Sequence, residues 1–136
     1  MNMKDVKAIM KSAGWGVMAT TDGKRVGARP MGGWAWVGKE LWCATGKPSD
    51  KVRQIEKVPH VEYCFTDKRG RHARIAGRCT VSTRLADKKK LLARVPALIK
   101  HVVSVDNPNY VVLRLKPTRV RAMASMSMKY DEVKVR

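Results

Sequence analysis

The chain has 136 residues, a length typical of one domain with one hydrophobic core. Hydrophobic residues make up 44% of it, which argues against a disordered protein. It carries 29 Lys and Arg against 11 Asp and Glu, and the net charge of +18 predicts an anionic partner: nucleic acid, a phosphorylated cofactor or an acidic membrane.

The first part of the chain predicts a short helix and then a β-meander. Residues 4–13 place apolar side chains on one stripe at helical spacing. Residues 15–21 alternate as a strand, and Asp22-Gly23 predicts a hairpin turn. The stretch 25–37 is interpreted as one extended segment whose glycines indicate bulges, and residues 40–45 follow as the next strand.

The second part predicts two helical regions inserted between further strands. In chain order these are a helix over 49–58, strands over 61–66 and 72–84, a helical region over 85–103 and a strand over 110–120. Pro96 must kink or split the second helical region. About six short strands in hairpin order predict a mainly β fold, a six-stranded antiparallel barrel that is closed or nearly closed.

The segment 45–51 (TGKPSDK) is a candidate phosphate site, because it leaves a strand and enters a helix. The first N–H groups of a helix lack internal partners and lie at the positive end of its dipole. Ser49 adds a hydroxyl there and Lys51 an ammonium group. The alternative is that Ser49 only caps the helix and Lys51 lies in solvent, and spacing alone favours that alternative.

Arg29, Pro30 and Met31 form a second candidate, beside three glycines in the stretch 25–37. Pro30 removes a backbone donor, and the glycines let a flat ligand approach the backbone. An edge strand with a bulge explains the same residues, and on its own is the better interpretation. The four tryptophans, Trp15, Trp34, Trp36 and Trp42, are interpreted as core before cofactor platform, and of these Trp34 and Trp36 are the pair best placed to line a groove.

The cysteines and histidines predict no catalytic or metal centre. Cys43, Cys64 and Cys79 lie singly in predicted strands, with no CxxC pair, and are interpreted as small buried hydrophobes. The histidines have no Ser or Cys partner at a recognisable spacing. We see neither a secretory signal nor an apolar run of membrane length, and therefore expect a cytoplasmic protein.

An ordered set of short motifs resembles the pyridoxamine-phosphate-oxidase-like family, in particular its general-stress-protein branch. The motifs are 16–23 (GVMATTDG), 29–31 (RPM), 41–45 (LWCAT), 49–51 (SDK), 74–77 (RIAG), 106–110 (DNPNY) and 111–117 (VVLRLKP). Each motif is weak alone, but their order is specific, and together they span residues 4–120.

The resemblance implies a split β-barrel that forms a homodimer with FMN in the groove between subunits. By position, Ser49 and Lys51 would hold the FMN phosphate. Five further residues would contact the flavin from two strands, namely Arg29, Pro30, Met31, Ala44 and Thr45. His72 lies where many relatives place a glutamine that reaches the partner subunit's flavin.

The departures from the family pattern bear on the substrate. Relatives that oxidise pyridoxamine phosphate carry a lysine where this chain has Trp34, and a longer C-terminal segment rich in substrate-binding residues. Oxidation of vitamin B6 is therefore not expected. Residues 124–136 are expected to be a flexible tail or to pack on the partner subunit. No side chain is a convincing acid or base, so no catalytic residue is named.

Flavin-dependent redox chemistry on an unknown small substrate is thus the leading hypothesis. One alternative is a basic β-barrel that binds nucleic acid along a stripe of arginines, Arg69, Arg71, Arg74, Arg78 and Arg84. The other is a stress-related protein that stores flavin without turnover. Some relatives bind a deazaflavin or haem, and these cofactors stay open.

Overall fold

The computed structural model describes residues 1–135, which form one eight-stranded sheet with helices packed against it. In chain order the elements are α1 (Met3–Ala13), β1 (Gly16–Thr21), β2 (Val26–Met31), β3 (Trp34–Val37), β4 (Glu40–Gly46), α2 (Asp50–Lys57), β5 (His60–Thr66), β6 (His72–Ser82), α3 (Leu85–Arg94), a 3-10 turn (Pro96–Leu98), α4 (Ile99–Val102), β7 (Tyr110–Met123) and β8 (Asp131–Val133).

The strands are all antiparallel and follow the order β2-β1-β5-β6-β7-β4-β3, with β8 paired to β7. The two end strands, β2 and β3, are consecutive in the chain, but within the described residues they do not pair with each other. The sheet is therefore not closed. The predicted fold class, a mainly β split barrel with flanking helices, is confirmed.

The strand count exceeds the predicted six for two reasons. The stretch 25–37 is divided at Gly32 and Gly33, where a positive φ of 63° at Gly33 turns the backbone out of an extended conformation. In addition, part of the segment 124–136 forms β8, and Val133 is buried against β7. The hairpin between β1 and β2 is present as predicted, with Asp22 Oδ1 accepting from the Lys24 and Arg25 N–H groups.

Two apolar clusters hold the helices on the sheet. The larger one contains the predicted inner faces of α1 and α2, Val6, Ile9, Met10, Val52 and Ile55, packed on the inner side of the strands. The smaller one joins α3 and the segment after it to β4 and β7 through Trp42, Leu91, Leu98, Val102, Tyr110 and Val112. This second cluster fixes the chain between α3 and β7 beside the ends of β2 and β4.

The predicted break at Pro96 is also present. α3 ends at Arg94, and the 3-10 turn starts at Pro96. α4 ends at Val102, and the next residue, Val103, has a φ of 70°, which is rare for a β-branched residue. Within residues 1–135 we find no helix with the length and apolar character that a membrane crossing requires.

Candidate functional site

The start of α2 carries a polar group with an unmet hydrogen bond. Ser49 is the N-cap residue, but its side chain makes no capping hydrogen bond. Its Oγ atom is buried and has no hydrogen-bond partner in the part of the chain that the structure describes. A buried hydroxyl normally finds a partner, so this atom marks a place suited to a ligand acceptor. The simple capping role, favoured by spacing, is not observed.

Two cations lie near each other at the start of α2. Burial lowers the pKa of the Lys51 ammonium, and the positive charge of Arg29 lowers it further. Burial also lowers the pKa of Arg29, against the opposing effect of Asp50. Asp50 is itself paired with Arg53 on the exposed side of α2. The α2 start therefore keeps a positive charge that an anion would neutralise.

Arg29 is held in place by neighbouring strands. Its Nη1 donates to Thr20 Oγ1 at 2.6 Å and to the Met18 carbonyl at 3.3 Å. Thr20 in turn donates to Gln54 Oε1 on α2, which ties the arginine to the helix. A Cβ at Gly27 would lie 2.6 Å from Arg29 Nη2, so glycine at this position makes room for the guanidinium.

A cleft of about 610 Å³ opens at the ends of β2 and β4. Four of the predicted flavin-contacting residues line it, namely Pro30, Met31, Ala44 and Thr45. The link of Gly32 and Gly33 between β2 and β3 forms its floor. Arg29, Ser49 and Lys51 are not among the lining residues, but each lies within a few residues of one that is.

A further wall of the cleft comes from residues 95–110, none of which was predicted as a site residue. It contributes apolar side chains and the polar residues His101, Asn107 and Asn109. Leu98 packs over Gly33, where an added Cβ would lie 2.6 Å from Leu98 Cδ2. The Lys47 N–H donates to the Asn109 carbonyl at 2.7 Å, which joins this wall to the loop that enters α2.

The tryptophan of the cleft is Trp15. It is 66% exposed, and its indole lies against Gly32, where an added Cβ would be 3.3 Å from the ring. The expectation that Trp34 and Trp36 line a groove is wrong for this cleft, because both pack against the larger apolar cluster. Trp34 also donates from Nε1 to the Gly14 carbonyl. In the alternating pattern of β1, Trp15 falls on the same face as Val17, which is the outer face of the sheet. This alternation could have predicted that Trp15 is exposed.

His72 lies apart from the cleft, at the start of β6. Its ring is 6.5 Å from that of Tyr130, which also faces Arg74 and Arg121. Both arginines bind Glu62 on the outer face of the sheet. The structure thus brings seven of the eight predicted site residues to one end of the barrel and leaves His72 elsewhere. Among residues 1–135 there is no cluster of three or more His, Cys, Asp or Glu side chains that could hold a metal ion.

One family model matches most of the chain. The family model described as pyridoxamine 5'-phosphate oxidase matches residues 3–124. A comparison with curated proteins finds no significant match. Three solved structures show the range of similar folds. A NimC/NimA family protein from Clostridium acetobutylicum has a TM-score of 0.81 at 25% identity, covering 96% of this chain and 90% of that one.

The General Stress Protein 26 from Bacillus anthracis has a TM-score of 0.78 at 19% identity, with 97% of this chain and 99% of that chain covered. A heme-binding protein from Mycobacterium smegmatis has a TM-score of 0.77 at 16% identity, with 94% of this chain and 55% of that chain covered. At these identities the last two show a shared fold alone.

Proposed function

The chain belongs to the pyridoxamine 5'-phosphate oxidase family, and from this membership we propose that it binds FMN and is related to the general stress protein 26 branch. The observation that carries the proposal is the buried Ser49 Oγ without a hydrogen-bond partner among the described residues, at the start of α2. A ligand oxygen is the simplest partner for it.

The residues at the α2 start fit a phosphate. The Ser49 hydroxyl can donate to a phosphate oxygen, Lys51 supplies a charge, and Arg29 lies close enough to lower the pKa of Lys51. A phosphate dianion between Lys51 and Arg29 would offset the repulsion between their positive charges. It would raise the pKa of both side chains, because a nearby opposite charge favours the protonated form. The helix N-terminus adds partial positive charge to the same place.

The cleft fits the ring system of the cofactor. Pro30, Met31, Ala44 and Thr45 line it a few residues from the proposed phosphate contacts, so one elongated ligand can reach both. Gly32 and Gly33 carry no side chains that would keep a flat ring from the backbone. The walls are mostly apolar, as is typical of cofactor pockets.

We propose that two copies of the chain form the functional unit. The outer face of β1 and β2 exposes an apolar patch that includes Val17, Val26, Ala28 and Pro30. His72 lies on the outer face two strands away, beyond β5. A second copy seated on this face would bury the patch and let His72 approach the partner's cofactor instead of its own.

The reaction we propose is flavin-dependent oxidation or reduction of a small substrate, although a binding role without turnover is the alternative. Bound flavin would supply the electron-transfer chemistry. The residues of this chain would bind the phosphate, orient the ring and keep water from it. We assign no acid or base to them, and the proposed activity excludes oxidation of pyridoxamine phosphate, because Trp34 replaces the lysine expected there.

The basic stripe gives less support to nucleic-acid binding than the total charge suggests. Arg71 is paired with Asp67, and Arg74 with Glu62. On β7, Arg114 and Arg119 also bind carboxylates. Two of the five arginines of the stripe are thus neutralised within the chain, and FMN binding remains the leading proposal.

The test compares FMN with riboflavin, which lacks the phosphate. We expect the wild-type protein to purify yellow and to prefer FMN in a fluorescence titration. Lys51→Ala should weaken FMN binding about tenfold or more and leave riboflavin binding nearly unchanged. Lys47→Ala, which removes an exposed lysine from the same loop, is the matched control. An unchanged FMN affinity in Lys51→Ala would contradict the phosphate assignment. A Soret band in the absorbance spectrum of the purified protein would show that the cofactor is haem and not flavin.

A further inference from the structure

The cleft contains no ionisable acid, lysine or arginine, although the protein is strongly charged. Asp, Glu, Lys and Arg make up 29% of the sequence. None of these residue types occurs among the 17 residues that line the cleft in the described part of the chain. The cations that suit a phosphate lie outside the lining, at the start of α2. The lining of the cleft therefore lacks the charged side chains that are abundant in the rest of this basic protein.

We propose that the wall formed by residues 95–110 binds the second substrate, a small, planar, uncharged aromatic molecule. This inference rests on the proposed function, because it assumes that the flavin ring occupies the side of the cleft formed by β2 and β4. Both sets of residues line the same cleft, so a molecule held against the wall would lie next to the ring.

Desolvation favours a neutral ligand here. An ion that enters the cleft loses part of its hydration and finds no acidic, lysine or arginine side chain in the lining to replace it. Val95, Leu98 and Val102 give this wall an apolar character instead, although Leu98 and Val102 are themselves largely buried. The wall thus selects against the anions that the overall charge attracts.

Two polar side chains would orient such a ligand. His101 and Asn109 line the cleft, and their side chains make no hydrogen bond within residues 1–135. The Tyr110 hydroxyl, by contrast, already donates to the Lys88 carbonyl at 2.9 Å. An imidazole and an amide can both donate to a carbonyl-type oxygen, so the ligand is expected to carry one.

The wall is preformed. Asn107 Nδ2 donates to the Val102 carbonyl at 2.8 Å, which closes the end of α4. Leu98 is seated on Gly33, and Leu98 and Val102 belong to the apolar cluster on β4 and β7. A site held this way does not need to be assembled by the ligand, so its neutral character should govern binding directly.

The experiment uses two probes that differ in charge. Coumarin is a neutral planar lactone, and coumarin-3-carboxylate is its anionic counterpart. Both are titrated by calorimetry into the FMN-loaded protein. We expect coumarin to bind at least about tenfold more tightly, although the +18 charge favours the anion. Flavin content is measured on the same samples by absorbance.

A lysine introduced into the wall tests whether the wall determines the preference for the neutral probe. Ala97 is exposed and lines the cleft, whereas Ala93 is exposed on α3 and does not. Ala97→Lys should reverse the preference toward the carboxylate, and Ala93→Lys should leave it as in the wild type. Equal or tighter binding of the carboxylate by the wild type would overturn the inference, as would an unchanged preference in Ala97→Lys.

The two proposals fail in different ways. If FMN displaces coumarin, the ring fills the whole cleft and the substrate wall is wrong, while FMN binding stands. If the protein takes up no FMN, the titration is made on the flavin-free protein. A preference for coumarin that Ala97→Lys reverses would then support the neutral wall while the proposed function falls.

Discussion

Ser49 combines a structural cost with a proposed use. Its hydroxyl occupies the N-cap of α2, a position where Ser usually accepts from the first turn, yet it makes no such bond. Its Oγ is buried without a partner among the described residues. A buried hydroxyl without a partner is a cost to the fold, and a role in binding a ligand would explain its place at the start of α2.

We therefore expect Ser49→Ala to separate stability from binding. Without ligand, its free energy of unfolding in urea should stay the same or rise by up to about 1 kcal/mol, because no hydrogen bond is lost and a buried hydroxyl without a partner is removed. With FMN added, the variant should gain less stability than the wild type, since ligand stabilisation follows affinity. A loss of about 1 kcal/mol or more in the ligand-free protein would show that Ser49 caps the helix.

Lys51 predicts a pH effect of defined sign. Its pKa in the folded protein is lowered from the ordinary value of 10.5 by burial and by Arg29. Between the two pKa values the unfolded chain binds more protons, so the folded protein gains stability as the pH rises through that range. The charged lysine is a liability at neutral pH.

Lys51→Met removes this liability. We expect the ligand-free variant to be more stable than the wild type at pH 7, and the difference to shrink as the pH approaches 10.5. Urea unfolding of both proteins across that range measures the difference, and Lys47→Met serves as the control. A constant difference at every pH would contradict the assignment.

At the level of elements, the bulge between β6 and β7 depends on one glycine. The register shifts between Ala76 and Gly77, and a Cβ at Gly77 would lie 2.1 Å from the Lys116 carbonyl oxygen. That neighbour is backbone and cannot rotate away, so a side chain must open the longest strand pair of the sheet.

Gly77→Ala should lower the free energy of unfolding by about 2 kcal/mol or more, measured by urea denaturation. Gly46→Ala is the matched control in β4, because a Cβ added there meets no atom within 4 Å. We expect that variant to be neutral or up to about 1 kcal/mol more stable, since it lowers the entropy of the unfolded chain. Equal effects of the two substitutions would argue against the bulge.

The helices and strands show which features of the fold can be predicted from the sequence. The alternation of β5 and β6 and the stripes of α1 and α2 predict the buried faces that the structure has, because one face of each element packs on a single core. β3 and β8 were not predicted as separate strands. Their limits are set by a positive φ at Gly33 and by pairing with β7, and neither leaves a periodic signal.

For the whole molecule, charge and association oppose each other. Each copy carries +18, so two copies repel unless an apolar contact outweighs the repulsion. The exposed patch on β1 and β2 is the proposed contact. Added salt screens the repulsion, and association should therefore strengthen as ionic strength rises.

Val17→Glu tests the patch. Val17 and Leu85 are both 47% exposed, but only Val17 lies on the outer face of β1. We expect Val17→Glu to shift the protein to monomers in analytical ultracentrifugation, with at least about a tenfold weaker dimer, because a buried carboxylate is costly. Leu85→Glu should sediment as the wild type does. Dimers that persist in Val17→Glu would place the contact elsewhere.

Only part of the candidate site could be predicted from the sequence. The motifs indicated Arg29, Ser49 and Lys51, which the structure places together at the start of α2 and the facing strand. None of the wall residues 95–110 was predicted as a site residue, since the wall's part in the cleft depends on how Leu98 meets Gly33 far away in the chain. Tertiary contacts of this kind have no local pattern.

One of the three cysteines, Cys64, is suited to labelling with a thiol-reactive dye. Cys43 and Cys79 are buried, and burial raises the pKa of both thiols, that of Cys79 to about 12. Burial also raises the pKa of Cys64, but less of its side chain is covered and Arg74 opposes the shift. Because the thiolate is the reactive form, a maleimide dye should label Cys64 first. Cys64 lies opposite Val17, beside the face proposed for the dimer contact, so association of two copies should slow this labelling and Val17→Glu should restore it.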